Sequence, residues 1–206
     1  MIEQMGELRR PDPGQKLQDF REILREQQLK AHQLLGSWRP WNAFSLEEHL
    51  REKFGEIPKH LILGYFATRT DWDEPESLPE TPANCRVAYP RIKNGHLSFH
   101  LCTSSQLVFN RSFGVWEAPS HAEECLPGFI FVPCFAADLF GRRLGRGGGY
   151  YDRYLRDHKA LPHIGILRSP YVFEQLPKDW FHAGDERIEA LLTETSFYFD
   201  LKEYSL

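Results

Sequence analysis

Residues 141–153 read Gly-Arg-Arg-Leu-Gly-Arg-Gly-Gly-Gly-Tyr-Tyr-Asp-Arg, and no other stretch of the chain gathers so many groups suited to an anion. Glycines let backbone N–H groups converge on a ligand with no Cβ in the way, and a helix starting near Tyr150 adds the positive end of its dipole. Arg142, Arg143, Arg146 and Arg153 bring local positive charge, and Asp152 offers oxygen to a Mg²⁺, directly or through water. The ligand that suits this combination is a polyphosphate. As a generic pattern the run is equally a plain turn. It lacks the Lys-Ser/Thr ending of a P-loop, and the third glycine of a dinucleotide fingerprint falls at Tyr150. Micromolar binding of a nucleotide takes about 8 kcal/mol, whereas a helix terminus contributes roughly 0.3 to 1 kcal/mol. Charge-assisted partners such as Arg21, Arg25 or Arg146 must therefore converge on the loop.

Other polar groups read less sharply. Arg21 and Arg25, four apart, share one face of a helix and present either two charges to a phosphate tail or a solvated surface beside Glu22 and Glu26. Asp71-Trp-Asp-Glu74 is an acidic loop that can meet the amino groups of a heterocycle or simply face water. Phe113 and Trp116 can stack on a planar ring or fill the core. His96 and His100, with Ser98 between them, fall on the polar face of an alternating strand, where solvent exposure is expected. Spacing gives no Ser-His-Asp or Cys-His arrangement.

The elements that must hold these groups follow from length and patterning. At 206 residues, with 41% hydrophobic and 26% charged, the chain fits one well-buried domain. Residues 1–15, with Pro11, Pro13 and Gly14, form an arm, and residues 16–206 form the domain. The net charge of −4 argues against a general nucleic-acid binder. Cys85, Cys102, Cys125 and Cys134 are spaced by 17, 23 and 9 residues, which suits no zinc site and fits small buried thiols in a reducing cytoplasm. No run reaches membrane-spanning length, and a monomer without membrane or nucleic-acid partners is the simplest reading.

Leu17, Phe20, Leu24 and Ala31 recur at helical spacing and predict a helix over 16–35. Ser45-Leu-Glu-Glu48 has the form of a capping box that opens a second helix with Leu46, Leu50 and Phe54 inward. Strands are expected at 61–66, at 87–89 ending before Pro90, and at 96–101. A continuous apolar run at 129–132 predicts a strand covered on both faces. A helix over 150–158 and strands at 164–167, 190–193 and 196–200 follow. Strand, glycine segment, helix, strand is the order of a parallel crossover, so the fold class is α/β: a single three-layer domain with a mostly parallel sheet flanked by helices.

The run Val132-Pro-Cys-Phe-Ala-Ala-Asp138-Leu-Phe-Gly141-Arg-Arg143-Leu-Gly145-Arg-Gly-Gly-Gly-Tyr-Tyr-Asp152-Arg153-Tyr-Leu155 closely resembles the signature of the 5-formyltetrahydrofolate cyclo-ligase family, also called methenyltetrahydrofolate synthetases. Val87-Ala-Tyr-Pro90-Arg91, Phe113-Gly-Val, Ile164-Gly-Ile, Leu176-Pro177, the 185–194 segment and Arg21-Glu-Ile-Leu-Arg25 extend it over about residues 16–195. The resemblance implies ATP-dependent closure of 5-formyltetrahydrofolate to 5,10-methenyltetrahydrofolate, with ATP as co-substrate and Mg²⁺ as cofactor. It assigns the phosphates to Gly145, Gly147, Gly148, Gly149, Tyr150, Arg143 and Arg146, with Arg21 and Arg25 on the outer ones. Asp152 takes the Mg²⁺, and Arg146 and Asp152 carry the catalysis. Asp71, Phe113 and Tyr151 are implied on the folate side. This sequence departs from the family pattern at Arg21, where a lysine is usual, and at Asp71, where a glutamate is usual. A noncatalytic folate- or nucleotide-binding regulator with the same fold is the alternative function, and an RNA-binding use of the Arg-Gly stretch is a third.

Overall fold

The structure is a computed structural model that describes residues 12–35, 38–40, 45–66, 80–199 and 201. Helix α1 (Leu17–Leu35) turns Phe20, Leu24 and Ala31 inward at the expected helical spacing, and adds Gln28, whose Nε2 donates to Phe135 O at 3.0 Å. Helix α2 (Leu46–Phe54) starts where the Ser45 hydroxyl accepts the Glu48 N–H at 3.2 Å and stops at Gly55, whose φ of +75° ends the spiral. The strands are β1 (Ile62–Gly64), β2 (Arg86–Lys93), β3 (His96–Leu101), β4 (Val108–Asn110), β5 (Val115–Glu117), β6 (Glu123–Cys125), β7 (Phe129–Pro133), β8 (Ala136–Asp138) and β9 (Arg143–Leu144). Then come α3 (Tyr150–Asp157), β10 (His163–Ile166), β11 (Val172–Phe173), β12 (Ala190–Leu192) and β13 (Phe197–Tyr198).

Eight strands make the main sheet in the order β13-β12-β10-β7-β1-β2-β3-β6. Its middle, from β12 to β2, is parallel, and β13, β3 and β6 are antiparallel. The period of two along β7 divides the core. Ile130 and Val132 join Phe20 and Leu24 of α1 and Tyr154 and Leu155 of α3, while Phe129 and Phe131 join Leu46 and Leu50 of α2. The three-layer α/β architecture with a mostly parallel sheet is therefore the one expected.

Several local expectations need correction. β2 does not end at Pro90 but runs on to Lys93, because Pro90 turns its polar edge to the side that β1 has already vacated. There its carbonyl takes the Ala118 N–H at 3.1 Å, so the missing proline N–H costs no ladder bond. His100 is buried rather than solvated. β6 pairs along that edge of β3, and the ring is held between Ser98 Oγ and Ala122 O, each at 2.9 Å. All four cysteines are free, but only Cys134 is fully buried.

A smaller sheet, β11-β8-β9, carries the chain toward the glycine run. β8 ends on Asp138, which is fully buried and accepts five hydrogen bonds. Phe140 N and Arg142 N reach Oδ1 at 3.0 and 3.1 Å, and Leu176 N reaches Oδ2 at 2.9 Å. Arg142 Nε and Nη2 also grip Oδ2, at 2.8 and 2.5 Å. Gly141, at φ +77°, closes the turn that this carboxylate fills. Asp138→Ala removes the buried carboxylate that grips Arg142 and three backbone N–H groups, and is expected to cost about 3 to 5 kcal/mol by urea denaturation. Loss of less than about 1 kcal/mol would contradict that account.

Candidate active site

Beyond the C-terminal ends of β1 and β7, the crevice where an open α/β sheet binds ligands, lies a cavity of about 650 Å³. Pro133 and Phe66 come from those strand ends, and Phe113, Val115 and Trp116 come from the β4–β5 hairpin opposite the glycine loop. Arg21, Arg143, Gly145, Arg146, Gly147, Gly148, Gly149, Tyr150, Tyr151, Asp152 and Phe113, all read from the sequence as site residues, line this one cavity. Arg25, one turn farther along α1, is exposed and is not on its wall. Asp71 lies outside the described residues.

The glycine loop connects β9 to α3. Gly147 and Gly149 sit at φ +91° and +63°, conformations that side chains with a Cβ rarely adopt. Neighbours add a second requirement: a Cβ on Gly148 would stand 2.5 Å from the Tyr150 ring, and one on Gly149 would stand 3.0 Å from Arg153 Nη1. The N–H groups of Gly145, Gly147, Gly148 and Gly149 donate to no described residue, and the first turn of α3 leaves further donors unused.

Charge is distributed unevenly around this loop. Arg142 points away into Asp138, and Arg153 binds the carbonyls of Gly148 and Gly95, so of the four clustered arginines only Arg143 and Arg146 reach the cavity. Arg143 Nη2 meets Asp152 Oδ1 at 2.6 Å, and Glu186 N donates to the same oxygen at 3.2 Å. Arg143 Nε and Arg21 Nε are shut off from water and hydrogen-bond to no described residue. The Arg146 guanidinium lies 5.6 Å from the centre of the Phe135 ring. Burial raises the Tyr151 phenol well above its ordinary value and pushes the Cys134 thiol up to about 12, so neither supplies a nucleophile near neutral pH.

The structure adds residues that spacing did not reveal. Glu117 is a buried carboxylate on the cavity wall, paired with Arg91 at 3.1 Å and receiving Asn110 Nδ2 at 3.0 Å. Its signal is invisible in sequence because β2 and β5 meet only in space. Trp180 and Asp185 also line the cavity, brought there by the segments that follow β11. Asp152 leaves Oδ2 unused among the described residues and Asp185 faces the same space, so both are hard oxygen donors of the kind Mg²⁺ takes. No group of three or more His, Cys, Asp or Glu positioned for a metal occurs among the described residues, so a Mg²⁺ held here would complete its shell with phosphate and water oxygens.

Residues 21–194 match the model of the 5-formyltetrahydrofolate cyclo-ligase family, a span that runs from the first helix to just past β12. The chain belongs to that family. Within the cyclo-ligase family, it is 36% identical over 99 residues to the 5-formyltetrahydrofolate cyclo-ligase of Haemophilus influenzae, covering 45% of this chain and 52% of that one. To the Escherichia coli K12 protein of the same description it is 33% identical over 101 residues, covering 46% and 55%. The chain thus spans about half the length of the curated relatives it matches. Among solved structures, the 5,10-methenyltetrahydrofolate synthetase of Aquifex aeolicus superposes with a TM-score of 0.57 at 28% identity, over 77% of this chain and 81% of that one. The Mycoplasma pneumoniae 5,10-methenyltetrahydrofolate synthetase gives 0.50 at 16% identity over 82% and 96%, a likeness of fold. No described helix is long and apolar enough to cross a membrane.

Gly149→Ala is expected to cost about 1 to 2 kcal/mol, since it places a Cβ in the left-handed region and against Arg153. Denaturant titration at an unchanged m-value measures it. An unaltered midpoint would mean that the loop is not held in this conformation.

Proposed function

We propose that this cyclo-ligase family member closes 5-formyltetrahydrofolate to 5,10-methenyltetrahydrofolate at the expense of ATP, releasing ADP and phosphate. The observation that carries the reading is that one cavity has two chemically different halves. Unused backbone donors, Arg21, Arg143 and Arg146 make a phosphate-binding half, and Phe113, Trp116 and Tyr151 make an aromatic half fit for a planar heterocycle.

The chemistry asks for no protein nucleophile. A formamide oxygen is a poor leaving group. It attacks the γ-phosphorus, the bond from that phosphorus to the ADP oxygen breaks, and the formyl carbon becomes electrophilic. N10 then forms its bond to that carbon, the carbon–oxygen bond to phosphate breaks, and the N10 proton passes to water. Both steps need alignment and neutralisation of negative charge, which glycine N–H groups and guanidiniums provide. Arg143 and Arg146 face the charge that develops on the transferred group, and Arg21 meets the chain of phosphates from α1. Arg25, exposed one turn away, acts only by long-range attraction. Asp152 and Asp185 would hold Mg²⁺, which supplies further neutralisation of the phosphates when bound. Asp71 is assigned to the pterin amino groups as the shorter equivalent of a glutamate.

Purified protein mixed with Mg-ATP and 5-formyltetrahydrofolate is expected to give methenyl absorbance and ADP in equal amounts. Binding of both ligands with neither product would replace the enzyme by a regulator. Asp152→Asn keeps a hydrogen-bond partner for Arg143 but loses the charge, and is expected to lower kcat/KM for Mg-ATP about a hundredfold with the fold intact by circular dichroism. Phe113→Ala should raise the KM for 5-formyltetrahydrofolate about tenfold while the KM for ATP moves less than threefold. Equal shifts in both would remove Phe113 from the folate half.

A further inference from the structure

Arg153 takes no part in the chemistry just described, yet both terminal nitrogens of its side chain are committed. It is an exposed residue of the first turn of α3 whose Nη1 donates to Gly148 O at 3.0 Å and whose Nη2 donates to Gly95 O at 3.2 Å. Gly95 belongs to the tight turn between β2 and β3, where Asn94 and Gly95 both have positive φ and the ladder closes on the Lys93 and His96 pair. The guanidinium carbon also lies 5.0 Å from the centre of the Tyr150 ring. Tyr150 in turn meets Phe113 edge-on, with ring centres 5.8 Å apart. One side chain thus connects the sheet's hairpin, the glycine loop and, through one ring, the aromatic wall.

We propose that Arg153 is a positioning residue that sets the direction in which the glycine loop presents its donors and links the nucleotide half of the cavity to the folate half. In a trans peptide the N–H points opposite to the carbonyl, so fixing Gly148 O fixes the direction of Gly149 N–H. The anchor is rigid because the other carbonyl it grips sits in a turn of the central sheet. Arginine suits the task and lysine does not: a planar fork spans two carbonyls and lies against a ring at once, whereas an ammonium is a single compact charge. The bare backbone at Gly149 fits the same account, since a Cβ there would press on Arg153 Nη1.

The inference rests on the ATP and folate reading of the cavity, and its test separates the two. The full chain is compared with Arg153→Ala and Arg153→Lys by thermal melting, by steady-state turnover, and by binding of a nonhydrolysable ATP analogue. For Arg153→Ala the analogue Kd and the KM for ATP are expected to rise about tenfold, the effect of one lost charge-assisted hydrogen bond. The KM for 5-formyltetrahydrofolate should move less than about threefold, and the melting temperature by less than about 3 °C. Lysine should recover only part of the nucleotide affinity. Combined with Phe113→Ala, the loss in analogue affinity should depart from additivity, as groups in one contact chain do. Unchanged analogue binding in Arg153→Ala, full rescue by lysine, additive effects with Phe113→Ala, or a parallel loss of both substrates and of stability would each overturn the proposal. Wild-type protein that neither binds the analogue nor turns over would overturn the reading of the cavity beneath it.

Discussion

The ion pair between Arg143 and Asp152 is the constraint on which the candidate site depends. One partner is the first residue of β9, the other lies in the first turn of α3, and the glycine run is the chain between them. Holding those two points 2.6 Å apart at the side-chain tips turns residues 145–149 into a closed loop whose glycine N–H groups donate to no described residue. Arg143 is almost fully buried, so losing Asp152 would leave a guanidinium stranded away from water. The pair therefore holds the loop shut and orders the arginine whose Nε has no acceptor among the described residues.

That pair is itself aimed by a second one. Asp138 and Arg142 fill the turn just before β9, and because Arg142 bends inward to Asp138, its neighbour Arg143 bends toward the cavity, as adjacent residues of an extended segment do. Two consecutive arginines thus serve opposite purposes: one neutralises a buried carboxylate that builds the turn, the other faces the ligand space. On the far wall the same logic recurs with Glu117 and Arg91, which fasten β5 to β2 and thereby hold Trp116 and Phe113 in place. Each half of the cavity is supported by a charged pair set behind it.

Much of the architecture was legible because it depends on periodicity. The 3.6-residue spacing of Phe20, Leu24 and Ala31 and the unbroken run at Phe129–Val132 each describe a face that must be buried, and burial is what defines those elements. Pro90 misled because a proline ends a strand only if its nitrogen faces a partner, and which edge faces a partner is a property of the assembled sheet. His100 misled for a related reason: alternation gives the side of a strand but not whether β6 will cover it. In the site, the glycine run and Asp152 could be read from local types and spacing. Glu117, Asp185 and the division of labour among the four arginines could not, since they arise from contacts between residues distant in sequence.

The cavity wall carries a local cost that is visible in its hydrogen bonds. A buried donor without an acceptor costs about 1 to 3 kcal/mol, and Arg21 Nε and Arg143 Nε are two such donors on one wall. Glu117 answers Arg91 and Asp152 Oδ1 answers Arg143 Nη2, yet neither carboxylate reaches Arg21 Nε or Arg143 Nε. A polyphosphate brings many acceptor oxygens on one flexible chain and can reach both guanidiniums and the loop amides together. Two buried guanidinium donors that meet no acceptor among the described residues thus stand beside glycine amides that donate to none, and any ligand that bound the folded chain through them would stabilise it by that binding energy.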